Sequence, residues 1–267
     1  MDIIRFRVDS LHVQIHPDLK SSAAATAASA AACLCRAGED RDEIGVIFST
    51  GASQLGVLRE LTARKNVPWD RILGFHLDEY VGIDASHPAS FRRYLRENLT
   101  RRVEMREFFE IDGSFPDIDR VCHDYADRLC KAKPQLCLLG IGENGHLAFN
   151  EPEEADFDDP QDIRAVTLDM VCRRQQVAEG WFKDTDKVPA RALTVTIPAL
   201  LRVPNLIVSV PGARKAQIVK RTIEDRISTD CPATILRTHP NVTLFLDQES
   251  AAKLDLTKWK HPHSAKV

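Results

Sequence analysis

Several things are scarce in this chain, and each scarcity excludes a class of function. Aromatic residues make up only 6% of its 267 residues, too few for the stacking platforms that hold unpaired bases. Basic charge is not in excess. The 36 Lys and Arg stand against 39 Asp and Glu, a formal net charge of -3, so no overall positive field is available to nucleic acid. No stretch approaches the roughly 18 uninterrupted apolar residues of a membrane-spanning helix. The opening MDIIRFRVDS carries charges inside its apolar stretch, which is not a signal-peptide pattern. No two cysteines have CxxC spacing. The seven are scattered between Cys33 and Cys231, which speaks against a zinc ribbon or a redox dithiol and suits a reducing cytoplasm. His261 and His263 near the C-terminus read as solvated tail residues, so no metal is expected. Finally, no linker rich in Pro, Gly or Ser marks a domain boundary. The expectation is a cytoplasmic protein with no nucleic-acid or membrane partner, one domain over residues 1–250, and a polar tail over 251–267.

What is present is a regular alternation of short apolar runs and amphipathic stretches. LHVQI, IGVIFST, RILGFHL, QLCLL, ALTVTI, NLIVSV and VTLFLD read as strands. SQLGVLRELTARK, PASFRRYLRENL, DIDRVCHDYADRLCKA and ARKAQIVKRTIE have helical spacing. The alanine-rich SSAAATAASAAACLCRAG, ending at Gly38, reads as a tightly packed helix, since alanine has the highest helix propensity and permits close approach. Strands that are apolar throughout, alternating with helices, predict an α/β fold. Its sheet is doubly wound and mostly parallel, with helices on both faces, Rossmann-like in plan. In such sheets ligands bind beyond the carboxyl ends of the strands, so residues just after each strand are the candidates.

Four strand ends qualify. Ser49, Thr50, Gly51, Ala52 and Ser53 lead into a helix, and small residues at a helix N-terminus make an anion cradle; a simple Ser cap is the plain alternative. Asp78 and Glu79 follow RILGFHL. Two adjacent carboxylates do not both sit comfortably in one pocket, and one of them is placed to act as a general base. GIGENGHLAFNEP spends glycines, Gly145 among them, and then presents Asn144, His146, Asn150 and Glu151. Glycine permits close backbone approach to a ligand, and a histidine with a nearby carboxylate is the usual form of an oriented acid–base group. Arg214 and Lys215 open a helix after NLIVSV, where cations oppose the helix dipole unless an anion lies between them.

With LDEYVG, GIGENGHLAFNEP and VPARALTVTIPALL in view, the chain resembles the glucosamine-6-phosphate deaminases, also called glucosamine-6-phosphate isomerases. The order and spacing agree from about Ile44 to Leu246. The related 6-phosphogluconolactonases share the fold and a GHxAS turn but continue with LFP rather than FNEP. The resemblance implies conversion of glucosamine 6-phosphate and water to fructose 6-phosphate and ammonia, without a metal or organic cofactor. It implies that Asp78 moves a proton between C2 and C1, that His146 assists ring opening at O5, and that Glu151 pairs with His146. Asn144 stands where members carry Asp or Asn. The Ser49–Ser53 loop and Lys215 fall where the family binds phosphate, and Glu79 and Gly145 are taken as further substrate-side positions. The partner implied is a small phosphosugar. Related chains include monomers and larger assemblies, so a homo-oligomer is left open.

The sequence departs from the family pattern in three places. The phosphate loop is STGASQ, without the usual prolines. The segment EEADFDDPQD after Glu151 is acidic, and its side chains are expected to face solvent. The family's lid arginine falls, by gapless counting, on Glu179, which leaves Arg173 or Arg174 as the expected phosphate ligand from the lid. A phosphosugar lactonase, a plain isomerase and a non-catalytic phosphosugar sensor are the alternatives. The Asp78, His146 and Glu151 set argues against the sensor, because binding alone needs no base at C2.

Overall fold

The computed structural model describes residues 3–178 and 180–259. Glu179 and residues 260–267, which include His261 and His263, lie outside the described residues. In chain order the elements are β1 (Ile4–Val8), β2 (Leu11–His16), α1 (Leu19–Asp40), β3 (Ile44–Phe48), α2 (Ala52–Thr62), β4 (Ile72–His76), β5 (Asp78–Tyr80), α3 (Phe91–Leu95), β6 (Glu107–Phe108), α4 (Ile118–Ala132) and β7 (Leu136–Leu139). They continue with β8 (Ile163–Thr167), α5 (Met170–Ala178), β9 (Arg191–Val195), α6 (Ile197–Leu201), β10 (Leu206–Ser209), α7 (Ala216–Glu224) and β11 (Val242–Asp247). No helix of the described residues is long and apolar enough to cross a membrane.

The main sheet has eight strands in the order β1-β2-β11-β10-β7-β3-β4-β6. All neighbours run parallel except the β1–β2 hairpin at one edge. The period-2 alternation of side chains divides the strands between two apolar layers. Ile44, Val46, Phe48, Leu136, Leu138, Ile207 and Phe245 pack with α1 and α2. Ile47, Cys137, Leu139, Leu206, Val208, Leu244 and Leu246 pack on the other side with α4, α6 and α7. Burial on both faces is why these strands are apolar at every position.

The alanines of α1 are there for fit. Ala23, Ala27, Ala30 and Ala31 are buried, and a Cβ on Gly56 of α2 would lie 3.0 Å from that of Ala23. Larger side chains on this face would overpack it, at a cost of about 1–3 kcal/mol each. The helix starts on a reciprocal cap between Asp18 and Ser21, and it runs past Gly38 to Asp40.

A second sheet of three antiparallel strands, in the order β5-β9-β8, was not legible in the sequence. ALTVTI belongs to it as β9, not to the parallel sheet. The chain enters it by continuing β4 through Leu77, whose carbonyl accepts the N–H of Val195 at 2.8 Å. Asp78 therefore lies where the chain crosses from one sheet to the other. The C-terminal segment also differs from expectation. Ala251 and Leu254 are buried, Leu256 packs on the core, and the Trp259 ring stacks on Phe6 at 5.5 Å. The apolar positions within 251–259 cover the hairpin edge, so packing continues beyond residue 250.

Candidate active site

A cavity of about 350 Å³ opens at the carboxyl ends of β10, β7, β3 and β4, four adjacent parallel strands. Its size is that of a small-molecule site. The segment Ser49–Ser53 lines it after β3, Leu77 and Asp78 after β4, Gly140–Glu143 after β7, and Pro211–Lys215 after β10. His146, Ala148 and Phe149 line it from the following loop, and Gln175, Gln176 and Trp181 from the segment around α5.

The Ser49–Ser53 loop is built to leave donors free. Gly51 sits at φ +95, and no side chain caps α2; Gln54 N–H turns back to Gly51 O at 3.0 Å, which leaves the N–H groups of Ala52 and Ser53 as the candidates for an anion. The loop is tied by Tyr94 Oη donating to Gly51 O at 2.8 Å. Gln54 Nε2 donates to Leu139 O at 3.2 Å. Ser49 Oγ is buried there without a hydrogen-bond partner. Across the cavity, Lys215 Nζ donates to Ile141 O at 2.8 Å. Arg214 Nη2 lies 2.6 Å from Glu143 Oε1, with both residues on the cavity wall.

The adjacent carboxylates of Asp78 and Glu79 separate cleanly. Glu79 faces away from the cavity. Its Oε1 accepts from the N–H groups of Tyr80 and Phe91, and its Oε2 accepts from Ser90 Oγ and from Arg92 N and Nε. Burial raises its pKa above the usual carboxylate range, and these donors offset only part of the rise. Glu79 is thus a structural carboxylate that anchors the start of α3, which corrects its expected place among substrate contacts. Asp78 is buried on the cavity wall with no partner for Oδ1. Burial pushes its carboxyl well above the usual range, and the neighbouring Glu79 charge adds to this.

The loop after β7 is shaped around His146. A Cβ on Gly142 would lie 2.1 Å from the imidazole Nε2, so only glycine leaves room for the ring. Gly145, at φ +97, packs against Cys231 and Ile218. It supports the loop from behind and is not on the cavity wall, another correction. Ala148 is held at φ +54, a left-handed conformation that costs a non-glycine residue about 1–2 kcal/mol. The bonds on either side hold it there. Phe149 N donates to Thr194 Oγ1 at 3.0 Å, and Asn150 Nδ2 donates to Leu147 O and Val195 O at 2.7 and 2.8 Å.

Asn144 and Glu151 stand behind His146, off the cavity wall. Asn144 Oδ1 accepts the backbone N–H of His146 at 3.1 Å, and its Nδ2 donates to Asp169 Oδ2 at 3.3 Å. Glu151 Oε2 accepts the N–H of Asp169 at 2.8 Å, while Oε1 has no partner. Ligand atoms of His146, Glu151 and Cys172 lie within 4.8 Å of one another. Burial, assisted by the Lys215 charge, lowers the His146 pKa to about 3, so its imidazole is neutral. Burial raises that of Glu151 to about 7.

Neither lid arginine reaches the cavity. Arg173 Nη2 donates to the carbonyls of Thr185 and Val188 at 2.6 and 3.2 Å, and Arg174 is exposed. The helical repeat explains this. Cys172, Gln175 and Gln176, at i, i+3 and i+4, form the inward face of α5, which turns 173 and 174 to its flank and exterior. Sequence reading missed Gln175, Gln176 and Trp181 for that reason, although CRRQQ carries the spacing. It also missed Thr194 and Asp169, which have no motif of their own. The acidic residues after Glu151 stay clear of the cavity. Glu154 and Asp159 bind Arg164 at 3.0 and 2.7 Å, and Glu153, Asp156 and Asp158 are exposed.

Fold and site together define an α/β enzyme in which the Ser49–Ser53 loop, Asp78, His146 and Lys215 face one strand-end cavity. The chain belongs to the family described as glucosamine-6-phosphate isomerases/6-phosphogluconolactonase, whose profile matches residues 17–245. It is 31% identical to the glucosamine-6-phosphate deaminase of Halothermothrix orenii over 78% of this chain and 86% of that one. To the Bacillus cereus (strain G9842) enzyme of the same name it is 32% identical, over 76% and 75%. A solved monomeric glucosamine-6-phosphate deaminase superposes with a TM-score of 0.82 at 26% identity, over 91% of this chain and 99% of that one. The 6-phosphogluconolactonase of Thermotoga maritima, at 20% identity, shares the fold with a TM-score of 0.72 over 89% and 99%.

Proposed function

We propose that this protein is an amino-sugar-phosphate deaminase, converting glucosamine 6-phosphate and water to fructose 6-phosphate and ammonia. The observation that carries the reading is the shared cavity of Asp78, His146, the Ser49–Ser53 loop and Lys215. The phosphate lies against the loop N–H groups, the Ser49 hydroxyl and Lys215, with Arg214 as a second cation in place of a lid arginine. The sugar then extends toward Asp78 and His146. The neutral imidazole moves a proton at the ring oxygen, and Asp78 carries the proton from C2 to C1. A buried carboxyl is a poor base while protonated. The substrate's own C2 ammonium supplies the charge that favours the carboxylate, so Asp78 is activated only when the correct ligand is in place. Asn144 positions the His146 backbone, Glu151 stands behind the imidazole, and neither touches the sugar.

Ammonia release from glucosamine 6-phosphate tests the reading directly, with the galactose epimer as comparison. Hydrolysis of 6-phosphogluconolactone without ammonia release would transfer the assignment to the lactonase branch of the family. Phosphosugar binding with neither reaction would make the protein a sensor.

A further inference from the structure

Cys172 has no part in the reaction above, yet its thiol belongs to the buried cluster with His146 and Glu151 behind the cavity. We propose that His146, Glu151 and Cys172 form a binding site for a thiophilic divalent cation of the zinc type, and that the ion inhibits the enzyme by seizing the histidine. That inhibition, though not the site itself, rests on the proposed function.

Three observations support the site. The ligand atoms come from a nitrogen, an oxygen and a sulfur, all within 4.8 Å of one another. Bonds of about 2.0–2.3 Å to a tetrahedral ion place its donors about 3.3–3.6 Å apart, so small rotations of two side chains close the site. Two atoms of the cluster, His146 Nδ1 and Glu151 Oε1, are also buried without a well-aligned hydrogen-bond partner, the Glu151 carboxyl having only the Cys172 thiol beside it within the cluster. Exposure is 9% for His146 and 0% for Glu151 and Cys172. Buried polar atoms left without partners are costly, and a cation satisfies both at once. Finally, the donors are held by a second layer. Asp169 receives the N–H of Cys172 on Oδ1 at 2.6 Å, and its own N–H donates to Glu151 Oε2. Such outer contacts are what fix the ligands of natural metal sites.

Imidazole, carboxylate and thiolate favour zinc or cadmium over magnesium or calcium, which prefer oxygen alone. Three protein ligands leave a fourth position for water. Binding displaces the thiol proton to solvent, together with the proton of Glu151 where that carboxyl is protonated. The entry path is the cavity itself, because His146 lines it and the other two ligands lie behind. Substrate and ion therefore compete.

Cobalt(II) is the probe, since it reports ligand type by absorption. The metal-free protein should bind one cobalt with tetrahedral ligand-field bands and a sulfur-to-cobalt charge-transfer band. Cys172→Ala and Cys172→Ser should each lose the charge-transfer band, and zinc should displace cobalt from the wild type. Zinc affinity should fall by at least about 10- to 100-fold in both variants, the scale set by losing even an outer-layer partner. Circular dichroism on the variants establishes that they are folded. A charge-transfer band unchanged in both folded variants would place the metal on another cysteine and overturn the proposal, as would a wild type that binds no cobalt. In the deaminase assay, zinc should inhibit competitively with glucosamine 6-phosphate, and inhibition that high substrate does not relieve would refute the shared entry path. If cobalt binds as described and no ammonia is ever released, the metal site stands and the deaminase reading fails.

Discussion

Asp78 lies directly opposite Thr194 in the β5–β9 pair, and the Thr194 hydroxyl accepts the N–H of Phe149 at 3.0 Å. One buried residue thus registers the carboxylate against the loop that carries His146. The two groups come from segments about seventy positions apart in sequence, and β9 is the ruler between them.

The first prediction follows from that ruler. Thr194→Val keeps the shape but removes the acceptor, leaving the Phe149 N–H buried and unpaired. Such a loss costs about 1–3 kcal/mol. Turnover should fall by an order of magnitude or more while KM changes little, because the phosphate cradle is untouched. Thr194→Ser should restore most of the loss. Steady-state kinetics on both variants checks this, and wild-type kcat in Thr194→Val would show that the loop is registered by other contacts.

Asp78→Asn should nearly abolish turnover while a phosphosugar still binds. The amide has the same outline but cannot accept the C2 proton, and loss of a positioned general base costs about 100- to 10,000-fold. It should also stabilise the fold, since it removes a buried carboxyl raised by desolvation and by Glu79. Retention of more than a tenth of the wild-type rate would remove Asp78 from the mechanism. Exchange of solvent hydrogen at C2 offers an independent readout.

Much of this was legible because strands buried on both faces must be apolar, and because a parallel sheet presents its ligands at one edge. Those two rules singled out Ser49–Ser53, Asp78, His146 and Lys215, all of which line the strand-end cavity. They failed where a local pattern has two solutions. Asp78 and Glu79 are chemically alike in sequence, and only the start of α3, with Ser90 and Arg92, decides that Glu79 turns inward. The small sheet was hidden because β5 is three residues long and begins Asp-Glu, which is poor strand chemistry. The lid failed for a different reason. Counting without gaps from VPARALTV assigned an arginine's role to a position, whereas the helical face of Cys172, Gln175 and Gln176 determines what α5 presents.

Glu151 gives a prediction in pH. Its pKa rises from an ordinary 4.5 to about 7 in the folded chain, chiefly through burial. Between those values the folded state holds a proton that the unfolded state has released, so stability falls as pH rises. Below the window both states are protonated and the penalty vanishes; above it the penalty is complete. Glu151→Gln carries no such penalty. Its melting temperature should match the wild type near the lower end of the window and exceed it by a few degrees at the upper end, given about 2–4 °C per kcal/mol for a chain of this size. Thermal melts across the window test this, and a difference independent of pH would mean that Glu151 is ionised throughout.

The last prediction concerns the phosphate. Lys215 and Arg214 stand together after β10, but Arg214 is held by Glu143 at 2.6 Å. On the proposed placement of the phosphate, Glu143 competes with the substrate for the second cation. Lys215→Ala should raise KM much more than it lowers kcat, because the phosphate is remote from the reacting carbons and its binding is nearly uniform along the reaction. A charged hydrogen bond is worth about 1.5–3 kcal/mol, which sets the expected loss at tenfold or more. Arg214→Ala should act in the same direction more weakly, since that side chain is half exposed and screened. Glu143→Gln should do the opposite and lower KM by freeing the guanidinium. Comparison of a phosphosugar with its dephosphorylated analogue isolates the effect, for only the phosphorylated ligand should respond. Equal changes for both ligands would place the phosphate away from Pro211–Lys215 and move the anion site wholly onto the Ser49–Ser53 loop.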